Sequence, residues 1–145
     1  MKGFEYYLDD AKKWRWRLRD ENENIIAITP EGFANKAESQ KEAHTFQTLG
    51  VTTAERKIIE FEQTAVAPGY EYFLDVRLNW RWHFQAGNND IIAVSGAKSH
   101  PSEADVKLAI AKVRQVLKSL SNDSGSTGGY IPPTTGGSSG PGRFA

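Results

Sequence analysis

The chain has 145 residues, with 18 Lys plus Arg against 18 Asp plus Glu, and so carries no formal net charge. That length suits one domain or two small ones, and the balanced charge weighs against a strongly electrostatic duplex-DNA binder. There is no Cys, which excludes a disulfide framework, a thiolate zinc site and a Cys nucleophile.

The MKGFEYYLDD start is too acidic, and too short in apolar residues, for a secretory signal. No run approaches the ~20 apolar residues of a membrane span. The expectation is a soluble, cytoplasmic protein with no membrane contact.

The first element is a strand. Phe4, Tyr6 and Leu8 alternate with Glu5, Tyr7 and Asp9. Asp10 to Lys13 is polar and predicts a hairpin loop. A second strand follows, with Trp14, Trp16 and Leu18 alternating with Arg15, Arg17 and Arg19. Pairing Leu8 with Trp14 sets Tyr6 against Trp16 and Phe4 against Leu18 on an aromatic face. The same register sets Glu5 against Arg17 and Tyr7 against Arg15 on a charged one. Asp20 to Asn24 predicts a turn, and Ile25 to Thr29 a third strand, apolar on both sides as a central or doubly covered strand is. Asn35 then caps a helix of about 36–48, with Glu38 at its third position.

The connection of 50–68 fits two patterns. Ile59, Phe61 and Gln63 alternate like a strand, while Ala54, Ile58, Phe61 and Ala65 fit a helix. An extended connection with one short strand is expected.

From Gly69 the sequence repeats itself. At an offset of 66, twelve of the 26 positions from 3 to 28 are identical, with no gap. Gly3-Phe4-Glu5-Tyr6-Tyr7-Leu8-Asp9 falls on Gly69-Tyr70-Glu71-Tyr72-Phe73-Leu74-Asp75, and Trp14-Arg15-Trp16 on Trp80-Arg81-Trp82. The reading is a duplicated unit, residues 3–49 and 69–120. Ser102 and Asp105 resemble a capping pair. Val106, Ala109, Ile110, Val113, Leu117 and Leu120 form the apolar stripe of a helix of about 103–120. Domain 1–121 then gives way to a Gly/Ser/Pro-rich tail, 122–145, expected to be disordered. Tyr130-Ile131-Pro132-Pro133 and Arg143-Phe144-Ala145 are its two apolar points.

An aromatic-acidic strand, a hairpin into W-R-W, an N-x-x-I-I-A strand and a helix together resemble the YegP-like repeat of small prokaryotic proteins of unknown function. The match covers about residues 3–49 and 69–118. Glu31-Gly32-Phe33 finds no counterpart at Ala97-Lys98-Ser99. The resemblance implies an α+β domain: two pseudo-twofold-related βββα units forming an antiparallel sheet, with helices packed on one face. Single-unit relatives are expected to dimerise into the same arrangement. The resemblance implies no activity.

Candidate sites follow from the two faces. Trp14, Trp16, Trp80 and Trp82 make either a stacking platform or the core. Their face matches Leu18 and Phe84, so burial under the helices is expected. Arg15, Arg17 and Tyr7, with Arg81, His83 and Phe73, form the charged face and are the candidate binding residues. That face presents either cross-strand pairs with Glu5 and Glu71 or a partner surface. His44, His83 and His100 have no metal-ligand spacing, and Asp9 and Asp75 read as turn caps. No cofactor motif is present, neither P-loop nor G-x-S-x-G nor G-x-G-x-x-G. The expected protein is a non-catalytic interaction module for a protein partner, stable as a monomer, with weak self-association through its sheet edges. The alternative is a single-stranded nucleic-acid binder using the Arg/aromatic strands.

Overall fold

A computed structural model describes residues 2–51, 55–59, 67–87, 90–96 and 99–123. The strands are β1 (Gly3–Leu8), β2 (Trp14–Arg19), β3 (Ile25–Ile28), β4 (Glu55–Lys57), β5 (Gly69–Leu74), β6 (Trp80–Gln85) and β7 (Ile91–Val94). The helices are α1 (Lys36–Leu49) and α2 (Glu103–Asp123). One sheet takes the order β1-β2-β3-β7-β6-β5-β4.

The alternation of aromatic and charged residues sets the hairpin registers. Phe4, Tyr6 and Leu8 pair with Leu18, Trp16 and Trp14, as expected. Tyr70, Tyr72 and Leu74 pair with Phe84, Trp82 and Trp80 in the same register, 66 positions on. β3 and β7 sit at the middle of the sheet and join the two halves through Ile28 and Val94.

The sheet is mixed, which corrects the expected antiparallel one. β4 runs parallel to β5, with Arg56 opposite Glu71. Its three residues, Glu-Arg-Lys, show no apolar alternation, so nothing local announces a strand or its direction. Side-chain pairs hold it instead: Arg56 with Glu71, Lys57 with Glu103, and Glu55 with Arg114 of α2. The short strand lies before Ile59, and positions 60–66 fall outside the described residues.

α1 starts where expected. The Asn35 side chain accepts from the Glu38 amide at 2.9 Å, meeting one of the unpaired N–H groups of the first turn. At α2, Ser102 Oγ accepts from Asp105 N at 3.1 Å and donates to Asp105 Oδ2 at 2.9 Å. α2 runs three residues past the expected end, so Asn122 and Asp123 belong to the helix rather than to the tail. The rest of that tail lies outside the described residues.

Both helices cover the aromatic face. Trp16, Leu18, Trp82 and Phe84 are fully buried with Phe46 of α1 and Val106, Ile110, Val113 and Leu117 of α2. Trp14 and Trp80 correct the expectation for the four Trp: they are only half-buried at the rim. Lys36 lies over one ring and Lys57 over the other. Their strand ends carry them past the helices, and short bridges to Phe33 and His100 close that end of the sheet. The second bridge is the counterpart that the Glu31-Gly32-Phe33 stretch lacked in sequence. It is displaced by one residue, so an ungapped offset of 66 passes over it.

Candidate functional site

Each hairpin begins at an Asp whose carboxylate organises the turn. Asp9 Oδ1 accepts from the amides of Ala11 and Lys13, and Asp75 Oδ1 from those of Arg77 and Asn79, all at 2.9 Å. The second oxygen of each takes an Arg from the next strand: Arg15 Nε at 2.6 Å and Arg81 Nε at 2.8 Å. The Arg15 guanidinium, then the turn amides, hold Asp9 below the ordinary carboxylate range. For Asp75 the Asn79 amide leads and Arg81 adds to it. Arg81 also donates to the Gly96 carbonyl at 2.8 Å. Arg15 and Arg81 therefore brace their own hairpins.

Further along the strands the two halves diverge. Glu5 accepts from Arg17 at 2.5 Å and Arg19 at 3.0 Å, and its side chain stays 44% exposed. Arg17, first among its causes, draws the Glu5 pKa down. The Arg17 guanidinium lies 4.4 Å from the centre of the Tyr7 ring. In the second half Glu71 sits between His83 at 2.7 Å and Arg56 at 3.1 Å, with its side chain only 2% exposed. The expected solvated pair is a buried one there, because β4 adds Arg56 beside it. Phe73 packs against the His83 ring at 5.4 Å.

The registers align these residues in one row across the sheet. Glu5 faces Arg17, Arg17 faces Ile28, Ile28 faces Val94, Val94 faces His83, His83 faces Glu71, and Glu71 faces Arg56. Residues directly opposite across a ladder share a face, with strands about 4.8 Å apart. The two predicted clusters, Arg15/Arg17/Tyr7 and Arg81/His83/Phe73, thus lie on one face. They do not touch: Ile28 and Val94, both half-exposed, stand between Arg17 and His83. Sequence reasoning missed this apolar centre, although the identical I-I-A strands of the repeat carried the signal. It also missed the tip of the β5–β6 hairpin, where Val76 is 84% and Leu78 73% exposed in place of Asp10 and Lys12.

Among the described residues, no group of three His, Asp or Glu is placed to hold a metal ion, and no helix is long and apolar enough to cross a membrane.

Residues 9–45 match the family model described as a domain of unknown function, DUF1508. A solution structure of yegP from E. coli, a protein of unknown function, superposes with a TM-score of 0.61. It is 17% identical, and the match covers 80% of this chain and 85% of that one. The chain has the YegP-like fold. A UPF0339 protein from Shewanella oneidensis agrees at a TM-score of 0.55 and 16% identity, over 80% of this chain and 84% of that one. No curated protein sequence matches. The YegP-like resemblance read from the W-R-W and I-I-A motifs therefore stands, and it carries no activity with it.

Proposed function

We propose that this YegP-like chain is a non-catalytic interaction module, built by tandem duplication, whose uncovered sheet face docks a protein partner in the cytoplasm. One observation carries the reading: the row Glu5–Arg17–Ile28–Val94–His83–Glu71 has an apolar centre and an ion-paired rim. That is the anatomy of a protein interface. Arg15, Arg17, Tyr7, Arg81, His83 and Phe73 supply the rim. A single-stranded nucleic acid is the weaker fit, because the basic groups are already engaged. Arg15, Arg17 and Arg81 each hold a carboxylate within 2.8 Å. A phosphate would meet those carboxylates as well.

The test places a charge at the centre of the row. Ile28→Lys and Val94→Lys should each abolish affinity capture of a defined protein partner while changing stability by about 1 kcal/mol, the span of strand propensities. A nucleic-acid surface responds in the opposite direction, because an added cation strengthens phosphate binding and steepens its salt dependence. Fluorescence anisotropy with a mixed single-stranded oligonucleotide at low and high salt reads that outcome. Tighter oligonucleotide binding in the Lys variants, with protein capture intact, would replace the protein reading.

A further inference from the structure

The turn that joins β2 to β3 is a third copy of the turn at the tip of each hairpin. Asp20 N donates to the Asn24 carbonyl at 2.9 Å and Glu23 N to the Asp20 carbonyl at 3.0 Å, the pattern of the turns at Asp9 and Asp75. Glu23 is left-handed at φ 68°, as Lys12 and Leu78 are at the same place. Asp20 Oδ1 accepts from the amides of Asn22 at 2.8 Å and Asn24 at 3.0 Å, as its two counterparts accept from theirs.

The copies differ at the second oxygen. Asp9 and Asp75 each receive an Arg Nε there, and that Arg stands six residues on in the sequence. Six residues after Asp20 stands Ile26, which has no charge to offer. Among the described residues Asp20 Oδ2 receives the Asn24 side-chain amide alone, at 3.3 Å. Yet Asp20 is only 4% exposed. A carboxylate with little access to water gains most from a charged donor. In the place of an Arg there is a cavity of about 170 Å³, bordered by Asp20, Asn24, Ile25, Ile26, Ser95 and Ala109.

We propose that this cavity binds an alkylguanidinium, whose head donates to Asp20 Oδ2 as Arg15 and Arg81 donate to Asp9 and Asp75. Ser95 Oγ is a second acceptor, and Ile25, Ile26 and Ala109 receive the alkyl chain. Lys112 also borders the space, but its ammonium is held by Glu21. With Asp20, Glu21 and Lys112 charged, the surroundings keep a net charge of minus one and favour a cation. His100, the remaining neighbour, adds positive charge only when protonated, so the test is run at pH 7.5. A cavity of roughly this volume holds a molecule the size of benzene, and propylguanidinium, an Arg side chain cut at its β-carbon, is close to that size. A free guanidino compound and an Arg of a partner chain carry the same head, and the test separates them. The site lies on the helix side of the sheet and does not depend on the partner proposed for the other face.

The experiment is an NMR titration of the full chain with propylguanidinium chloride to about 10 mM, a range suited to a millimolar ligand. The Asn22 and Asn24 amides, which donate to the Asp20 carboxylate, should shift and saturate. The amides of Ala11, Lys13, Arg77 and Asn79 make the same bonds to Asp9 and Asp75 and should stay still. Propylurea, the neutral isostere, should bind at least tenfold more weakly. A capped Gly-Arg-Gly peptide that produces the same shifts assigns the site to an Arg of a partner; shifts from propylguanidinium alone assign it to a free compound. Asp20→Asn keeps an acceptor for the turn amides and should weaken binding at least tenfold. Should that variant not fold, Ala109→Leu fills the space with Asp20 intact and should remove the response by volume alone. No saturable shift at Asn22 and Asn24 in the wild type, equal shifts at the Asp9 and Asp75 turns, equal binding of propylurea, or a response that survives in either folded variant overturns the assignment.

Discussion

Trp14 and Trp16 share a strand face, yet only Trp16 is sealed from water; Trp80 and Trp82 repeat the contrast. Trp16 stacks on Phe46 at 5.6 Å, and Trp82 packs edge-on against Tyr70 at 5.6 Å. Replacing Trp16 or Trp82 by Ala should cost about 3–5 kcal/mol, as for other core aromatics. The same change at half-buried Trp14 or Trp80 should cost roughly 1–2 kcal/mol, since less area is lost to water. Urea melts of the four variants check that order, and equal losses would place all four rings in one environment. Glu42 makes the second prediction at this scale. Burial, opposed by its bonds to Thr29 and Trp16 and aided by the neighbouring Glu31, pushes its pKa from 4.5 to about 7. Between those values the folded chain holds a proton that the unfolded chain has released, so stability falls as pH rises through that window. Glu42→Gln keeps an acceptor for Trp16 and Thr29 without the charge. From pH 5 to pH 8 the wild type should lose stability relative to Glu42→Gln, on the order of 1 kcal/mol after allowance for partial exposure. Asp9, Asp75 and Glu5 are shifted down instead, so their contribution is lost at lower pH, outside that window.

At the scale of elements, the two hairpins are built alike and finished differently. Both turns hold a left-handed residue, Lys12 at φ 65° and Leu78 at φ 64°. A Cβ makes that conformation unfavourable for most residues, and Asn tolerates it best after Gly. Leu78 gains no compensating burial, being 73% exposed. Leu78→Asn should therefore stabilise the protein by roughly 0.5–1 kcal/mol, read as a higher urea midpoint. Lys12→Asn should do the same, because the strain sits in the backbone that both turns share. A loss of stability at Leu78 alone would show that its side chain packs in solution.

For the whole molecule, the core belongs to neither half. Phe46 of α1 touches Trp16 in the first hairpin and Tyr70, Trp82 and Phe84 in the second, with ring centres 5.3–6.5 Å apart. Tyr70 Oη closes the seam by donating to the Gly50 carbonyl at 3.0 Å. Both hairpins thus pack on one helix of the same chain, so folding should not require a second copy. Light scattering should give a monomer near 16.1 kDa across dilution. A dimer that persists at low concentration would mean that an edge, β1 or β4, is paired between chains.

The local elements were legible in the sequence because they follow from periodicity and short-range chemistry. Alternation placed the charged and aromatic residues of β1, β2, β5 and β6 and their registers. Asp9 and Asp75 marked the turns, Asn35 and Ser102 the helix starts. The candidate binding residues were legible as one face for the same reason. The rest depended on neighbours remote in the chain. Glu-Arg-Lys at 55–57 is a strand because β5 pairs with it, Glu71, Glu103 and Arg114 meet its side chains, and Ile58 just beyond it is buried. Glu71 is buried, and Glu5 is not, because that strand arrives on one side alone. Ile28 and Val94 divide the predicted clusters because the units meet through β3 and β7. Periodicity reports which face a residue takes; only the assembled packing decides what fills the volume in front of it.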